Sequence, residues 1–157
     1  MPARRRLLEA ASAVLLTSGC ATAPLAEQDE CDRLMASDSF AQFDRLAVRE
    51  RVLGEKVVTD HRACSADPAA LAAFEKGVLF RGLHSERTVE GGKCVRVEVP
   101  VDPNAESAAG ASHQICAQAH LAKVRYESWS AVLGGINLLY VSGSNVMVRP
   151  IPPRPVK

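Results

Sequence analysis

Several features that would mark a familiar function are scarce or missing in this sequence of 157 residues. Aromatic residues make up only 4% of it, too few for the stacked platforms that bind sugars or bases. It contains no Gly-x-Ser-x-Gly motif and no glycine-rich phosphate loop after a predicted strand, so neither a serine-nucleophile elbow nor a nucleotide site is indicated. The formal net charge of +1 argues against nucleic acid as a partner, because phosphate binding needs clustered positive charge.

The amino terminus carries a charged segment followed by an apolar one. Arg4-Arg5-Arg6 precede an apolar run from about Leu7 to Leu16, and the small residues Ser18 and Gly19 stand before Cys20. This order of charged, apolar and small residues is typical of an export signal.

The stretch Leu16-Thr17-Ser18-Gly19-Cys20 resembles a bacterial lipoprotein signal peptide. The resemblance covers residues 1–21 and implies removal of residues 1–19 and attachment of lipid, including palmitate, to Cys20. It also implies the periplasmic side of the outer membrane, because Ala21 rather than Asp follows the cysteine. An ordinary signal peptide or a short membrane anchor is the alternative, although the apolar run of about ten residues is well short of the roughly 20 needed to span a bilayer.

The cysteine count favours disulfides in an exported domain. If Cys20 carries lipid, four of the five cysteines remain: Cys31, Cys64, Cys94 and Cys116. An even number in an oxidising compartment predicts two disulfides. Three connectivities are open, and we favour Cys31–Cys64 with Cys94–Cys116 because each encloses one local unit of chain. The alternatives are four free buried thiols or a zinc site, and the latter is disfavoured by the absence of a Cys-x-x-Cys pair.

The mature chain predicts a single small α+β domain, with short amino-terminal helices packed on a small antiparallel sheet and disulfides stabilising it. Its length suits one domain with its own core, but not two. Residues 20–30 have no apolar period and are expected to form a lipidated tether. Residues 31–148 form the α+β domain, and residues 149–157 form an extended proline-rich tail.

The first helix is predicted over residues 40–53, where apolar side chains recur at helical spacing. Ser39 and Gln42 match a capping box at its start. Gly54 stands where a left-handed residue would end it.

The second helix is predicted from Pro68, a favoured residue in the first helical position. Asp67 precedes it as a capping residue, and the good helix formers of residues 69–76 follow. Gly77 is expected to end this helix.

From Ser85 the apolar period changes from 3.6 to 2, which predicts a hairpin. Its strands are residues 86–90 and 93–99, around the turn Gly91-Gly92. Pro100 is expected to end the second strand, and residues 101–113 to form a long polar loop.

Residues 114–133 fit two interpretations. An apolar stripe at helical spacing favours a helix ending at Gly134-Gly135, while the run near Trp129 could equally be a strand. We favour the helix. A second hairpin is predicted over residues 136–141 and 145–148, around Ser142-Gly143-Ser144.

No catalytic residue, metal or cofactor is predicted. His113, Cys116 and His120 have ligand types that suit zinc or copper, but Cys116 is assigned to a disulfide and His113 to a loop. The same assignment removes the free thiol that a cysteine nucleophile would need. His61 and His84 have no partner nearby in the sequence.

The tail is the best candidate for contact with a partner. Its prolines lack N–H donors and favour an extended polyproline-II conformation, whose preset dihedrals suit docking into a groove. The residues expected to bind are Pro150, Pro152, Pro153, Arg154 and Pro155. The alternative is a frayed terminus.

These features together predict a non-enzymatic adaptor or assembly factor for an envelope protein complex, held at the membrane by lipid. The alternative is a periplasmic enzyme or enzyme inhibitor whose site the sequence does not reveal. A third hypothesis is metal delivery through His113 and His120.

Overall fold

The computed structural model describes residues 25–88, 92–144 and 146–151. Within these ranges the chain forms five helices and six strands: α1 (Leu25–Ala36), α2 (Ser39–Leu46), α3 (Val48–Leu53), β1 (Val57–Cys64), α4 (Pro68–Phe80), β2 (His84–Arg87), β3 (Cys94–Val101), α5 (Ala105–Leu121), β4 (Arg125–Leu133), β5 (Ile136–Val141) and β6 (Met147–Pro150). The strands form one antiparallel sheet in the order β2-β3-β1-β4-β5-β6. This confirms the predicted α+β fold. No described helix is both long and apolar enough to cross a bilayer.

The core lies between one face of the sheet and the helices α2, α4 and α5. The Phe40 ring stacks on Trp129, with ring centroids 5.2 Å apart, and Phe43 packs against the same indole at 6.0 Å. Leu71, Phe74 and Val78 of α4 and Ala108, Ile115 and Ala119 of α5 complete this layer.

The region predicted as the first helix contains two helices, α2 and α3, which are separated at Ala47. The capping box does not form, because Asp38 rather than Ser39 is the N-cap and the Gln42 amide donates to the Asp38 carboxylate at 2.9 Å. The end at Gly54 is confirmed, with a φ of 67°. The predicted tether also needs correction, because residues 25–30 belong to α1 and consist mostly of good helix formers.

In α4, the predicted start is confirmed and the predicted end is wrong. The Asp67 carboxylate accepts from the Ala69 N–H at 2.9 Å, but the helix passes through Gly77 to Phe80. A Cβ at Gly77 would lie 2.0 Å from Nε2 of Gln118. This glycine therefore allows α5 to approach closely, and does not end the helix.

The first hairpin is confirmed as β2 and β3, although β2 spans His84–Arg87 and β3 continues through Pro100 to Val101. Residues 89–91, which include the end of the predicted first strand and part of the predicted turn, lie outside the described residues. The register explains why proline is tolerated at this position. The N–H groups of residues 94, 96 and 98 face β2, and β2 begins at His84, opposite Glu98. On the β2 side of Pro100 no described strand is paired with β3, so the N–H that proline lacks is not needed there for a strand hydrogen bond.

The predicted loop over residues 101–113 is wrong, and the predicted helix over residues 114–133 is confirmed only for residues 114–121. The helix α5 starts earlier, at Ala105, where the Asn104 side chain accepts from the Ser107 N–H at 2.8 Å. Its many small residues let it lie close to the sheet. Residues 125–133 are β4, and Gly134 and Gly135 form the turn to β5 with φ values of 56° and 85°.

The second hairpin is confirmed as β5 and β6, but its last strand includes part of the predicted tail. Arg149 and Pro150 pair with Asn137 and Ile136 of β5. The Ile151 N–H also donates to a turn carbonyl at 2.9 Å. Residues 152–157 lie outside the described part of the chain.

Both disulfides form, but the favoured pairing is wrong: the bonds are Cys31–Cys116 and Cys64–Cys94. The sheet explains the second bond, because β1 and β3 pair in a register that places Cys64 directly opposite Cys94. The first bond joins α1 to α5, which are 85 residues apart at the cysteines. The pairing of the cysteines is therefore set by contacts in the folded chain and not by closeness in sequence.

Candidate functional site

The helices cover one face of the sheet, and the described residues leave the other face open to solvent. Side chains alternate between the two faces along the central strands. We call the exposed side the open face. It carries Val58, Asp60 and Arg62 of β1, Arg96, Glu98 and Pro100 of β3, and Ser128, Ser130 and Val132 of β4.

Ion pairs within and between strands hold the charged side chains of the open face. The Arg96 guanidinium contacts Asp60 at 2.6 Å and Glu98 at 2.7 Å. The hydrogen bond to Asp60 is the main reason that the pKa of Arg96 is raised. Arg62 lies 3.4 Å from Glu127. These acids already have cationic partners, so they are poor candidates for general acids or bases.

One end of the open face is cationic and contains the Cys64–Cys94 disulfide. We call it the cystine end. A surface cavity of about 470 Å³ opens here, lined by the disulfide and by Lys93, Lys123, Arg125 and Glu127. The three basic side chains are exposed. The single carboxylate, Glu127, is already paired with Arg62 and Arg125.

The turns at the strand ends bring these charges together. Lys93 directly precedes β3, and Lys123 and Arg125 flank the start of β4. Lys123 has a φ of 59°, and its N–H donates to the His120 carbonyl where α5 ends. β4 contains a bulge between the partners of Arg62 and Ala63. Such bulges re-aim side chains, and this one places the Glu127 carboxylate beside the Arg62 guanidinium.

A second cavity of about 500 Å³ adjoins the first and shares Arg125 and Glu127 with it. Its other walls include the partly buried apolar side chains of Leu139 and Val141. Further along the face, Val58 and Val132 are 49% and 58% exposed. The open face is therefore cationic at the cystine end, carries ion pairs in its middle, and exposes Val58 and Val132 at the opposite end.

Cys64, Cys94 and Glu127 are the described residues placed to hold a metal ion, with ligand atoms within 4.8 Å of one another. Two sulfurs and a carboxylate would suit zinc, but only as thiolates. Both sulfurs are joined in the disulfide. As oxidised, the group does not fit a metal.

Beneath the open face lies a buried chain of hydrogen bonds centred on His61. Thr59 Oγ1 donates to the Val99 carbonyl at 3.0 Å, so it accepts from His61 Nε2, also at 3.0 Å. The other nitrogen, Nδ1, then accepts from the Tyr126 hydroxyl at 2.9 Å. Burial lowers the pKa of His61 to about 3 and raises the pKa of Tyr126 well above its usual value. Both groups are neutral at physiological pH.

The group of His113, Cys116 and His120, considered above as metal ligands, does not offer a thiolate in this structure. His113 lies on α5, not in a loop, and is exposed. Cys116 is bonded to Cys31, so it offers no thiolate. His120 lines a third cavity, of about 250 Å³, beside this disulfide.

The described residues include only part of the predicted site. Cys20, Pro152, Pro153, Arg154 and Pro155 lie outside them, and Pro150 lies in β6. The four predicted cystine residues all form disulfides.

Sequence reasoning missed the open face itself. Finding it would have required recognising β1 and β4 as strands, since only their pairing brings Arg62 and Arg125 close to Cys94. The alternation of Trp129, Ala131 and Leu133 was the available signal for β4.

No protein-family model, curated protein or solved structure matches this chain. Its function is therefore argued from the chemistry of the open face. Exposed cations can bind anionic groups, exposed valines can contact an apolar partner, and the disulfide can exchange with thiols.

Proposed function

We propose that this chain is a lipid-anchored periplasmic lipoprotein of the outer membrane, and that its domain acts as an adaptor or assembly factor. The anchor is proposed from the signal-like residues 1–21 and their lipidation site at Cys20. The binding element is proposed to be the open face, and its occupant an acidic segment of an envelope protein.

The observation that carries this proposal is the exposed positive charge at the cystine end. Lys93, Lys123 and Arg125 converge on one cavity against a single carboxylate, Glu127. Charge complementarity of this kind steers partners and sets the register of binding. The exposed Val58 and Val132 add apolar area to the same surface, and protein interfaces combine an apolar part with polar and charged surroundings.

The open face favours binding over catalysis. The buried histidine of the sheet, His61, is 1% exposed and already has hydrogen-bond partners on both ring nitrogens. The acids Asp60 and Glu98 are paired with Arg96. The rival hypothesis of an enzyme is best supported at the 250 Å³ cavity that contains His120.

Site-specific photo-crosslinking of the full-length chain in bacterial cells tests the proposal. A crosslinking side chain at Val132 should capture one partner of defined mass, whereas one at Phe80, which is 93% exposed on the helical side, should not. The double substitution Lys93→Glu with Lys123→Glu should abolish the crosslink, because it reverses the charge that attracts the acidic segment.

The matched control carries the same change of charge on the helical side, Lys76→Glu with Arg81→Glu, and should keep the crosslink. Equal loss in both double variants, or no crosslink from the open face, would reject the partner hypothesis. In parallel, the mass of the mature chain should show acyl groups on Cys20, and Cys20→Ala should release the domain from membranes.

A further inference from the structure

The two disulfides differ in what they hold together. Cys31–Cys116 is the covalent link between α1 and α5, across 85 residues of chain. Cys64–Cys94 joins two residues that already lie opposite each other in the β1–β3 pairing. Beside it, the Ser65 N–H donates to the Lys93 carbonyl at 2.9 Å. Opening Cys64–Cys94 therefore leaves its two strands connected through the rest of their ladder.

The surroundings of Cys64–Cys94 also favour a thiolate. Arg62 Nη2 lies 3.4 Å from Cys94 Sγ, and Lys93 and Lys123 line the same cavity. Nearby cations lower the pKa of a cysteine thiol. A thiol of lower pKa also leaves faster in disulfide exchange. Glu127 acts in the opposite sense, but it is already paired with Arg62.

We infer that Cys64–Cys94 is a thiol–disulfide exchange site whose co-reactant is a dithiol. The dithiol enters the 470 Å³ cavity, and its thiolate attacks Cys64 Sγ. The bond between Cys64 and Cys94 breaks, and its electron pair goes to Cys94 Sγ beside the Arg62 guanidinium. The second thiol of the co-reactant, as its thiolate, then attacks the co-reactant's sulfur in the mixed disulfide. The bond from that sulfur to Cys64 Sγ breaks, and Cys64 leaves as a thiolate. Overall the protein gains two electrons and two protons, and the dithiol becomes a disulfide.

The test is graded reduction of the oxidised full chain with dithiothreitol, followed by alkylation of free thiols and peptide mass mapping. Cys64 and Cys94 should be alkylated at least tenfold faster than Cys31 and Cys116, while near-ultraviolet circular dichroism stays native. Prior reduction of Cys31–Cys116, or the appearance of all four thiols together with loss of native signal, would overturn the inference.

Variants of Arg62 separate stabilisation of the leaving thiolate from access of the reductant to the bond. Arg62→Gln should slow reduction of Cys64–Cys94, because the Cys94 thiolate loses a stabilising cation as it leaves. With a Brønsted coefficient of about 0.5 for the leaving thiol, the rate should fall about threefold for each unit by which the Cys94 pKa rises. Arg62→Lys should restore part of the rate. Arg87→Gln is the control, since that arginine is paired with Glu75. Equal rates in Arg62→Gln and Arg87→Gln would contradict the proposed role of the guanidinium.

A double variant checks that the bond is dispensable for the fold. Cys64→Ser with Cys94→Ser should fold with Cys31–Cys116 intact and show native circular dichroism. Failure of this variant to fold would overturn the inference, because the bond would then be required by the structure. None of these measurements depends on the envelope partner proposed above.

Discussion

The buried imidazole of His61 makes the stability of this domain sensitive to acid. His61 is 1% exposed, and its two ring nitrogens are hydrogen-bonded to Thr59 and Tyr126. In the neutral form, Nε2 donates and Nδ1 accepts. A proton added at Nδ1 would place two donors, the imidazolium and the Tyr126 hydroxyl, against each other in a buried site.

The size of the effect follows from linkage between protonation and folding. Burial lowers the pKa of His61 from 6.5 to about 3, so between these values the unfolded chain binds a proton that the folded chain does not. The stabilisation is complete above pH 6.5 and is lost as the pH falls towards 3. At about 1.4 kcal/mol per pH unit, acidification from pH 7 to pH 5 should remove about 2 kcal/mol.

Urea denaturation of the oxidised domain at pH 7 and pH 5 measures this loss. His61→Gln, which cannot titrate, should be less stable at pH 7 but should lose about 2 kcal/mol less than the wild type on acidification. His113→Gln, a substitution at an exposed histidine, should retain the wild-type loss. If the wild type and His61→Gln lost stability in parallel, His61 would not be held neutral by the fold, and the reasoning would fail.

Two further predictions concern packing and the β4–β5 turn, and urea denaturation measures both. Phe74→Ala should destabilise the domain by about 3–5 kcal/mol because Phe74 is fully buried, whereas Phe80→Ala on the same helix should change stability by less than about 0.5 kcal/mol; similar losses would contradict the assigned faces of α4. Glu50→Ala should remove about 1–3 kcal/mol because buried Glu50 accepts from the Gly134 N–H at 2.9 Å. Glu50→Gln retains an acceptor and should be milder, and equal losses would argue against this hydrogen bond.

Local signals in the sequence predicted the elements that they control directly. Asp67 caps α4 and Gly54 ends α3, since a capping bond and a left-handed φ need only adjacent residues. The hairpins were predicted from alternating residues separated by glycine. By contrast, Gly77 depends on the approach of Gln118 from another helix, which no local pattern reveals.

The central strand β1 was missed because its buried face is partly polar. Thr59 and His61 occupy inward positions and break the apolar alternation that marks a strand. They are tolerated there because Val99 and Tyr126, distant in sequence, satisfy their hydrogen bonds. The cystine end was missed for a similar reason, because Arg62 contacts Cys94 of β3 and Glu127 of β4, which are distant from it in sequence.

The two disulfides make different connections within the fold. The chain enters the domain through α1, and Cys31–Cys116 fixes that helix to α5, which packs on the sheet. This bond therefore adds a second covalent connection between α1 and the rest of the domain, beside the backbone that leads into α2. Cys64–Cys94 connects strands that remain paired without it. In the exchange proposed above, opening Cys64–Cys94 would change the charge and shape of the cystine end while α1 stays bonded to α5.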